Sequence, residues 1–321
     1  MAPDITYVIA AYNAEDSVER AIASALAQTG VNVEVVVCDD CSTDGSASVI
    51  ARIAQHDERV RYLRMDRNSG PAAARNAAIM HATGRWISIL DADDTIEAWR
   101  SERLLARDDE AVAAIVDNIV IHSSDGERLL YDIGHLASMP RLELPFFIDH
   151  NMVFSGRFNF GYVKPLVRRR FLADHGISYD ENLRIGEDYL FMASILASGG
   201  VCLVEPVAGY RYTSAAGSVS HVMKSSDVAA MLDGDRRFLA RHKLSQQADA
   251  AQARRTTNLK RAFAYLRIVD ELKAKSLGGA LREIAANPAA TWLLRMPVVS
   301  RLKSSMAAIS SLPSAPRHLS K

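Results

Sequence analysis

Four short apolar runs, at residues 5–10, 33–38, 60–63 and 86–90, alternate with segments whose apolar residues recur at helical spacing. Between the first two runs the helical positions are Val18, Ile22, Ala25 and Leu26, with Glu15 and Asp16 leading in. A polar turn, Asp39-Asp40-Cys41-Ser42-Thr43-Asp44-Gly45, precedes a second helix ending near Gln55. The third helix spans residues 72–82 behind Pro71, a residue suited to a first helical position. This β-α-β-α-β-α-β order predicts an α/β fold with a parallel, Rossmann-like sheet. Right-handed crossovers bring the loops that follow the strands to one edge of such a sheet. Tyr12, Asp39, Asp40, Asp91 and Asp93 are therefore predicted to converge there, at the edge where open α/β sheets bind ligands.

The fourth run ends in Asp91-Ala92-Asp93-Asp94. Carboxylates this close repel each other, and a divalent cation with oxygen ligands relieves that repulsion. Mg²⁺ keeps several waters and needs only one or two carboxylates beside substrate phosphates. Alternation along an extended segment separates Asp91 from Asp93, and the turn brings both near one ligand. The same acids also serve as an ordinary cap for the next helix. No G-x-G-x-x-G follows the first strand and no G-x-x-x-x-G-K-[ST] occurs, which argues against dinucleotide enzymes and P-loop NTPases.

Net charge is zero over 321 residues, but its distribution is uneven. Residues 254–321 carry 13 Lys/Arg against 3 Asp/Glu, so the remainder is acidic. A basic tail on an acidic body predicts an anionic surface as partner, membrane or nucleic acid. The tail lacks the interleaved aromatics of a nucleic-acid module, which favours membrane or protein docking. No run of about 18 apolar residues predicts a transmembrane helix, and residues 5–10 read as a first strand and not as a leader. Three cysteines, Cys38, Cys41 and Cys202, suit a reducing cytoplasm. Cys38 and Cys41 match C-x-x-C, but no second Cys/His pair has zinc spacing.

Further along, residues 114–121 predict a strand, Asp125-Gly126 a turn, and 163–167 another strand before Arg168-Arg169-Arg170. Residues 155–161 are polar and aromatic, a composition suited to an acceptor groove. Gly186-Glu187-Asp188 opens a helix running to about Ser198, with Asp188 at a position acids ordinarily prefer. Strands at 201–204 and 210–212 follow. Beyond Ser225 the pattern is helical, over 228–242, 248–275 and 280–286. Residues 292–303 mix apolar and basic side chains, as an interfacial segment or a partner helix does.

Five motifs now stand in order: Ala10-Ala11-Tyr12-Asn13, Cys38 through Gly45, Asn68-Ser69-Gly70 with Ala74-Arg75-Asn76, Leu90 through Asp94, and Gly186-Glu187-Asp188. Over residues 5–221 the chain resembles the family 2 inverting glycosyltransferases of GT-A fold. It is most similar to bacterial exopolysaccharide enzymes, including succinoglycan biosynthesis glucosyltransferases of the ExoU type. The resemblance implies a GT-A domain at 1–222 and a helical, basic region at 223–321. It implies a UDP-sugar donor and a lipid-linked glycan acceptor. Ala10, Tyr12 and Asp40 would hold the nucleotide base, with Asn68 and Arg75 also on the nucleotide side. Asp91 would contact ribose or sugar, Asp93 would bind Mg²⁺ or Mn²⁺ at the diphosphate, and Asp188 would be the catalytic base. The expected location is cytoplasmic, peripheral on the inner face of the membrane. Cys41 departs from the family pattern, which often has Gly or another small residue there. No Gln-x-x-Arg-Trp occurs, which argues against processive synthesis. A nucleotidyltransferase would share architecture and metal, but residues 10–18 lack its Gly-rich signature and nearby Lys. Intact Asp93 and Asp188 argue against the other alternative, a non-catalytic glycan- or nucleotide-binding protein on the same scaffold.

Overall fold

The computed structural model describes residues 2–123, 126–155, 160–213 and 223–294. Strands β1 (Ile5–Ala11), β2 (Val33–Asp39), β3 (Val60–Arg64) and β4 (Trp86–Ile89) are parallel where they pair, as the alternation predicts. Their connections are α1 (Val18–Leu26), α2 (Ser46–His56) and α3 (Pro71–His81). In β1 the side chains of Ile5, Tyr7, Val8 and Ile9 are buried on both faces, as befits a strand in the interior of a covered sheet. The buried face of α3 is made of Ala72, Ala73, Ala74 and Ala78, small enough for the helix to lie close on β1 and β2. Arg75 enters on that face and is buried with it.

The second half begins with β5 (Thr95–Ile96), α4 (Arg100–Leu105), β6 (Val112–Ser123) and β7 (Gly126–Leu129). It continues through α5 (Ile133–Ala137), α6 (Leu144–Asp149), β8 (Leu166–Arg168), α7 (Arg169–His175), α8 (Glu187–Ala197) and β9 (Val201–Thr213). Among the described residues one sheet results, ordered β3-β2-β1-β4-β8-β6-β9-β5, with β7 paired to β6. β8 runs antiparallel to both β4 and β6, β6 and β9 are parallel, and β5 is antiparallel to β9. The sheet is thus mostly parallel and mixed, with helices packed on it, which is the expected GT-A arrangement.

The two strands predicted at 201–204 and 210–212 are one strand of 13 residues. Its register against β6 slips between the pairs Asp117–Glu205 and Asn118–Ala208. Pro206, which cannot donate to a ladder, sits in that slip, and this interruption makes one strand look like two. The elements β5, α4, α5 and α6 are too short to show a period, and the sequence did not announce them. The turn predicted at Asp125-Gly126 lies partly outside the described residues.

The chain divides into two compact units, residues 1–256 and 257–321. Helix α9 (Ser225–Arg241) belongs to the first, and α10 (Gln246–Lys273) begins there. Within the first unit, Asp235 of α9 pairs with Arg255 at 3.1 Å and accepts a bond from Gln252 at 2.8 Å. In the second unit, Arg267 pairs at 3.4 Å with Glu283 of α11 (Leu277–Ala286). No helix among the described residues is long and apolar enough to cross a membrane. Most of the mixed segment predicted at 292–303 lies outside the described residues.

Candidate active site

Strand register fixes where the site forms. Ala10 lies beside Cys38, Cys38 beside Leu63, and Val8 beside Ile89, so the carboxyl ends of β1 to β4 share one edge. Tyr12 stands exposed there, next to half-buried Ala10, with Asp40 buried close by. The loops after β1 and β2 are tied together: Asn13 Oδ1 accepts from the Thr43 N–H at 2.9 Å, and the Asn13 N–H donates to Ser42 Oγ at 3.0 Å. Cys41 has φ of 61°, the left-handed region where glycine is at ease and any other residue is held at a cost of roughly 1–2 kcal/mol. This accounts for Gly at that turn in the family pattern. Asp40 accepts from the N–H groups of Ser69 and Gly70, both at 2.7 Å. Asp40 therefore shapes the loop that carries exposed Asn68 and leads into α3.

Beneath that edge lies a cluster of five charged side chains, with Arg75, Lys164 and Glu187 buried and Asp91 and Asp188 half-buried. Arg75 donates to Asp91 Oδ1 at 2.8 Å, to Glu187 Oε1 at 2.9 Å and to Asp188 Oδ1 at 3.3 Å. The Lys164 ammonium lies 2.7 Å from Asp91 Oδ2 and 3.0 Å from Asp188 Oδ2. Asp91 and Asp188 are thus each held at both oxygens, one by Arg75 and the other by Lys164. Burial acts against the Lys164 ammonium, yet Asp188 and Asp91 hold its pKa above the ordinary range. Burial would raise Asp91 as well, but Lys164 and Arg75 keep its carboxyl well below the usual carboxylate range. Burial and the neighbouring Asp188 push Glu187 up.

Local sequence explains how the carboxylates arrive. α8 is apolar nearly all round, burying Tyr189, Leu190, Phe191, Met192, Ala193, Ile195 and Leu196, as a fully enclosed helix must. Its acids are confined to the first turn, where the helix dipole favours them. Gly186, at φ of 89°, makes the sharp entry that aims that turn at the sheet edge. On the other side, the Asp91 N–H donates to the Tyr210 hydroxyl at 3.1 Å. That hydroxyl donates in turn to Asp94 at 2.7 Å.

Asp93 differs from its neighbours. It is exposed and makes no ion pair among the described residues, and partial burial beside Asp91 pushes its carboxyl up. Burial next to Asp91 and Asp93 pushes Asp94 further, to about 8. No cluster of three His, Cys, Asp or Glu side chains forms a complete metal cage among the described residues. Asp93 is exposed, and Lys164 and Arg20 offset its charge only in part, which fits the other kind of site, in which one protein carboxylate and substrate phosphates share a hard cation.

A second buried ion pair forms the floor. Arg100 binds Asp117 in a two-pronged pair, at 2.9 and 2.7 Å, with both side chains buried. The same guanidinium reaches Ser88 of β4 at 3.1 Å and the Lys164 carbonyl at 2.9 Å. Sequence reasoning brought Arg75, Asp91, Asp93 and Asp188 to one place, and the structure gathers them there. It missed Lys164 and gave no role to Glu187. The available signal was a lone lysine inside the apolar run Val163-Lys164-Pro165-Leu166-Val167. The segment expected to line an acceptor groove falls mainly on residues 156–159, outside the described residues. Phe160, from its end, is buried against Tyr131 with ring centroids 4.5 Å apart.

Residues 6–172 match the Glycosyl transferase family 2, and the chain belongs to that family. It is therefore an enzyme, a glycosyltransferase. Among its relatives, the succinoglycan biosynthesis protein ExoO of Rhizobium meliloti (strain 1021) is 47% identical, covering 98% of this chain and 91% of that one. Succinoglycan biosynthesis protein ExoU of the same organism is 36% identical over 89% and 84%. The likeness is thus stronger to ExoO than to the ExoU type named by the motifs. S. aureus TarS (1–349), solved with UDP-GlcNAc, has the same fold at a TM-score of 0.60 and 19% identity, over 86% and 89% of the two chains. The mannosyltransferase PcManGT from Pyrobaculum calidifontis, in complex with GDP-Man and Mn²⁺, gives a TM-score of 0.57 at 19% identity, over 94% and 81%.

Proposed function

We propose that this glycosyltransferase moves a hexose, glucose in the first instance, from a UDP-sugar onto a lipid-linked exopolysaccharide repeat unit of succinoglycan type. The transfer is a single displacement with inversion. One observation carries the reading: Asp91 and Asp188, from two separate elements, meet on shared cations beside an exposed Asp93. The names of ExoO and ExoU support the pathway, and the ligand of TarS supports a UDP-sugar.

In this mechanism Tyr12, Ala10 and Asp40 take the uracil end of the donor, with Asn68 on the same side. Arg75 holds Asp91 toward the ribose or sugar. Asp188 accepts the proton of the acceptor hydroxyl as that oxygen attacks the anomeric carbon, and one carboxylate suffices for this. Mg²⁺ or Mn²⁺, held by Asp93, supplies Lewis-acid stabilisation of the departing diphosphate when bound. Retention through a covalent intermediate needs a nucleophilic carboxylate in addition to the acid–base group, and this reading gives Asp91 to the ribose or sugar and leaves none for that role. Asp93→Ala is expected to abolish metal-dependent binding of UDP-glucose, read by calorimetry with and without Mn²⁺, while the melting temperature holds. Full turnover of the unaltered enzyme in excess EDTA contradicts the metal assignment.

Transfer is assigned to residues 1–222. The region 223–321 contributes α9 to the first unit, and its later part is assigned to docking on anionic membrane. Exposed Leu272, Leu277 and Leu281 accompany exposed Lys273, Lys275 and Arg282, and residues 295–321 add five Lys/Arg and no acid. Each basic residue near an anionic surface contributes about 1 kcal/mol. Flotation with phosphatidylglycerol vesicles should weaken with salt and fail in a Lys273→Glu, Lys275→Glu, Arg282→Glu variant. Flotation equal to the parent's removes this role.

A further inference from the structure

We propose that Lys164 is a positioning residue for the transfer: its ammonium sets the separation of Asp91 from Asp188 and so aligns the donor sugar with the base. This rests on Asp188 as the base. Asp91 follows β4 and Asp188 opens α8, so no local backbone fixes the distance between them. Two carboxylates left to themselves would repel. Arg75 restrains one oxygen of each, and Lys164 restrains the other, at 2.7 and 3.0 Å. With both oxygens of each held, the carboxylates lose their freedom to turn.

Lys164 is itself fixed from below. Its carbonyl accepts from Arg100 at 2.9 Å, and that guanidinium is locked on Asp117 within the sheet. Pro165 follows, which confines Lys164 to extended backbone. The ammonium is therefore delivered from a rigid base to a point between the two acids. Its side chain is only 6% exposed, which leaves little room for it to wander. Stability alone does not explain the arrangement, because the desolvation of a buried ion pair offsets most of its attraction.

The test uses the full chain, with UDP-glucose hydrolysis in Mn²⁺ as the turnover assay and UDP calorimetry for binding. Misplacing a reacting group by about 1 Å costs on the order of 10²-fold in rate. Lys164→Met should lower kcat by about that factor while UDP affinity stays within about threefold. Lys164→Arg, which keeps the charge with a different reach, should fall between the two. A parent-like kcat in Lys164→Met overturns the proposal. So does a loss of UDP affinity in step with kcat, which would make Lys164 a donor-binding residue. If Lys164→Met does not fold, Lys164→Arg decides: reduced kcat with intact UDP affinity supports the role, and unchanged kcat overturns it. Failure of the base assignment is separate, because it appears as full activity in Asp188→Asn.

Discussion

Asp188→Asn is expected to bind UDP and metal nearly as the parent does and to turn over 10²–10⁴-fold more slowly, the usual loss when a general base is removed. Asparagine keeps the size of the side chain and an oxygen for one cation, but it has no basic oxygen for the acceptor proton. The defect belongs in kcat, because Asp188 is not among the residues assigned to the nucleotide. Calorimetry with UDP and Mn²⁺ provides the binding arm, and UDP-glucose turnover provides the rate. A variant with the parent's rate would assign the base elsewhere.

The second large effect is on the fold itself. Asp117→Ala leaves the Arg100 guanidinium, 1% exposed, with no carboxylate partner. Removing one member of a buried pair costs about 3–5 kcal/mol. In a chain of this size that lowers the melting temperature by on the order of 10 °C. Scanning calorimetry reads this directly, and a shift under about 2 °C would mean that the pair is dispensable. Joint replacement, Arg100→Met with Asp117→Leu, should recover much of the loss, since it leaves no charge unpaired. The Lys164 carbonyl would still lose its donor, so activity should recover less than stability does.

The N-terminal half of the fold was legible because each of its strands is a short, mostly apolar run, broken by single residues such as Glu34 and Arg61, and helical spacing recurs between them. Asp91 and Asp93 could be read as one site because the topology returns every loop after a parallel strand to the same edge. The C-terminal half was harder. β9 hides behind Pro206, and α4 through α6 are too short to show a period. Lys164 was missed for a different reason. A single lysine in an apolar run is a signal that names no partner, and its partners lie 73 residues before it, at Asp91, and 24 after it, at Asp188. Asp40 was expected at the nucleotide base, and nothing in the sequence announced its bonds to the Ser69 and Gly70 N–H groups. Cys41 is the converse case. The departure from glycine was plain in the sequence, and the positive φ explains why the position favours glycine.

The central claim is a one-step transfer with inversion, and the anomer first released from UDP-glucose tests it most directly. In that donor the sugar is α-linked. Proton NMR during hydrolysis, recorded faster than mutarotation, should show β-glucose appearing first and α-glucose growing in only as the anomers equilibrate. Initial release of α-glucose would contradict a single displacement and would require a second nucleophile in the site.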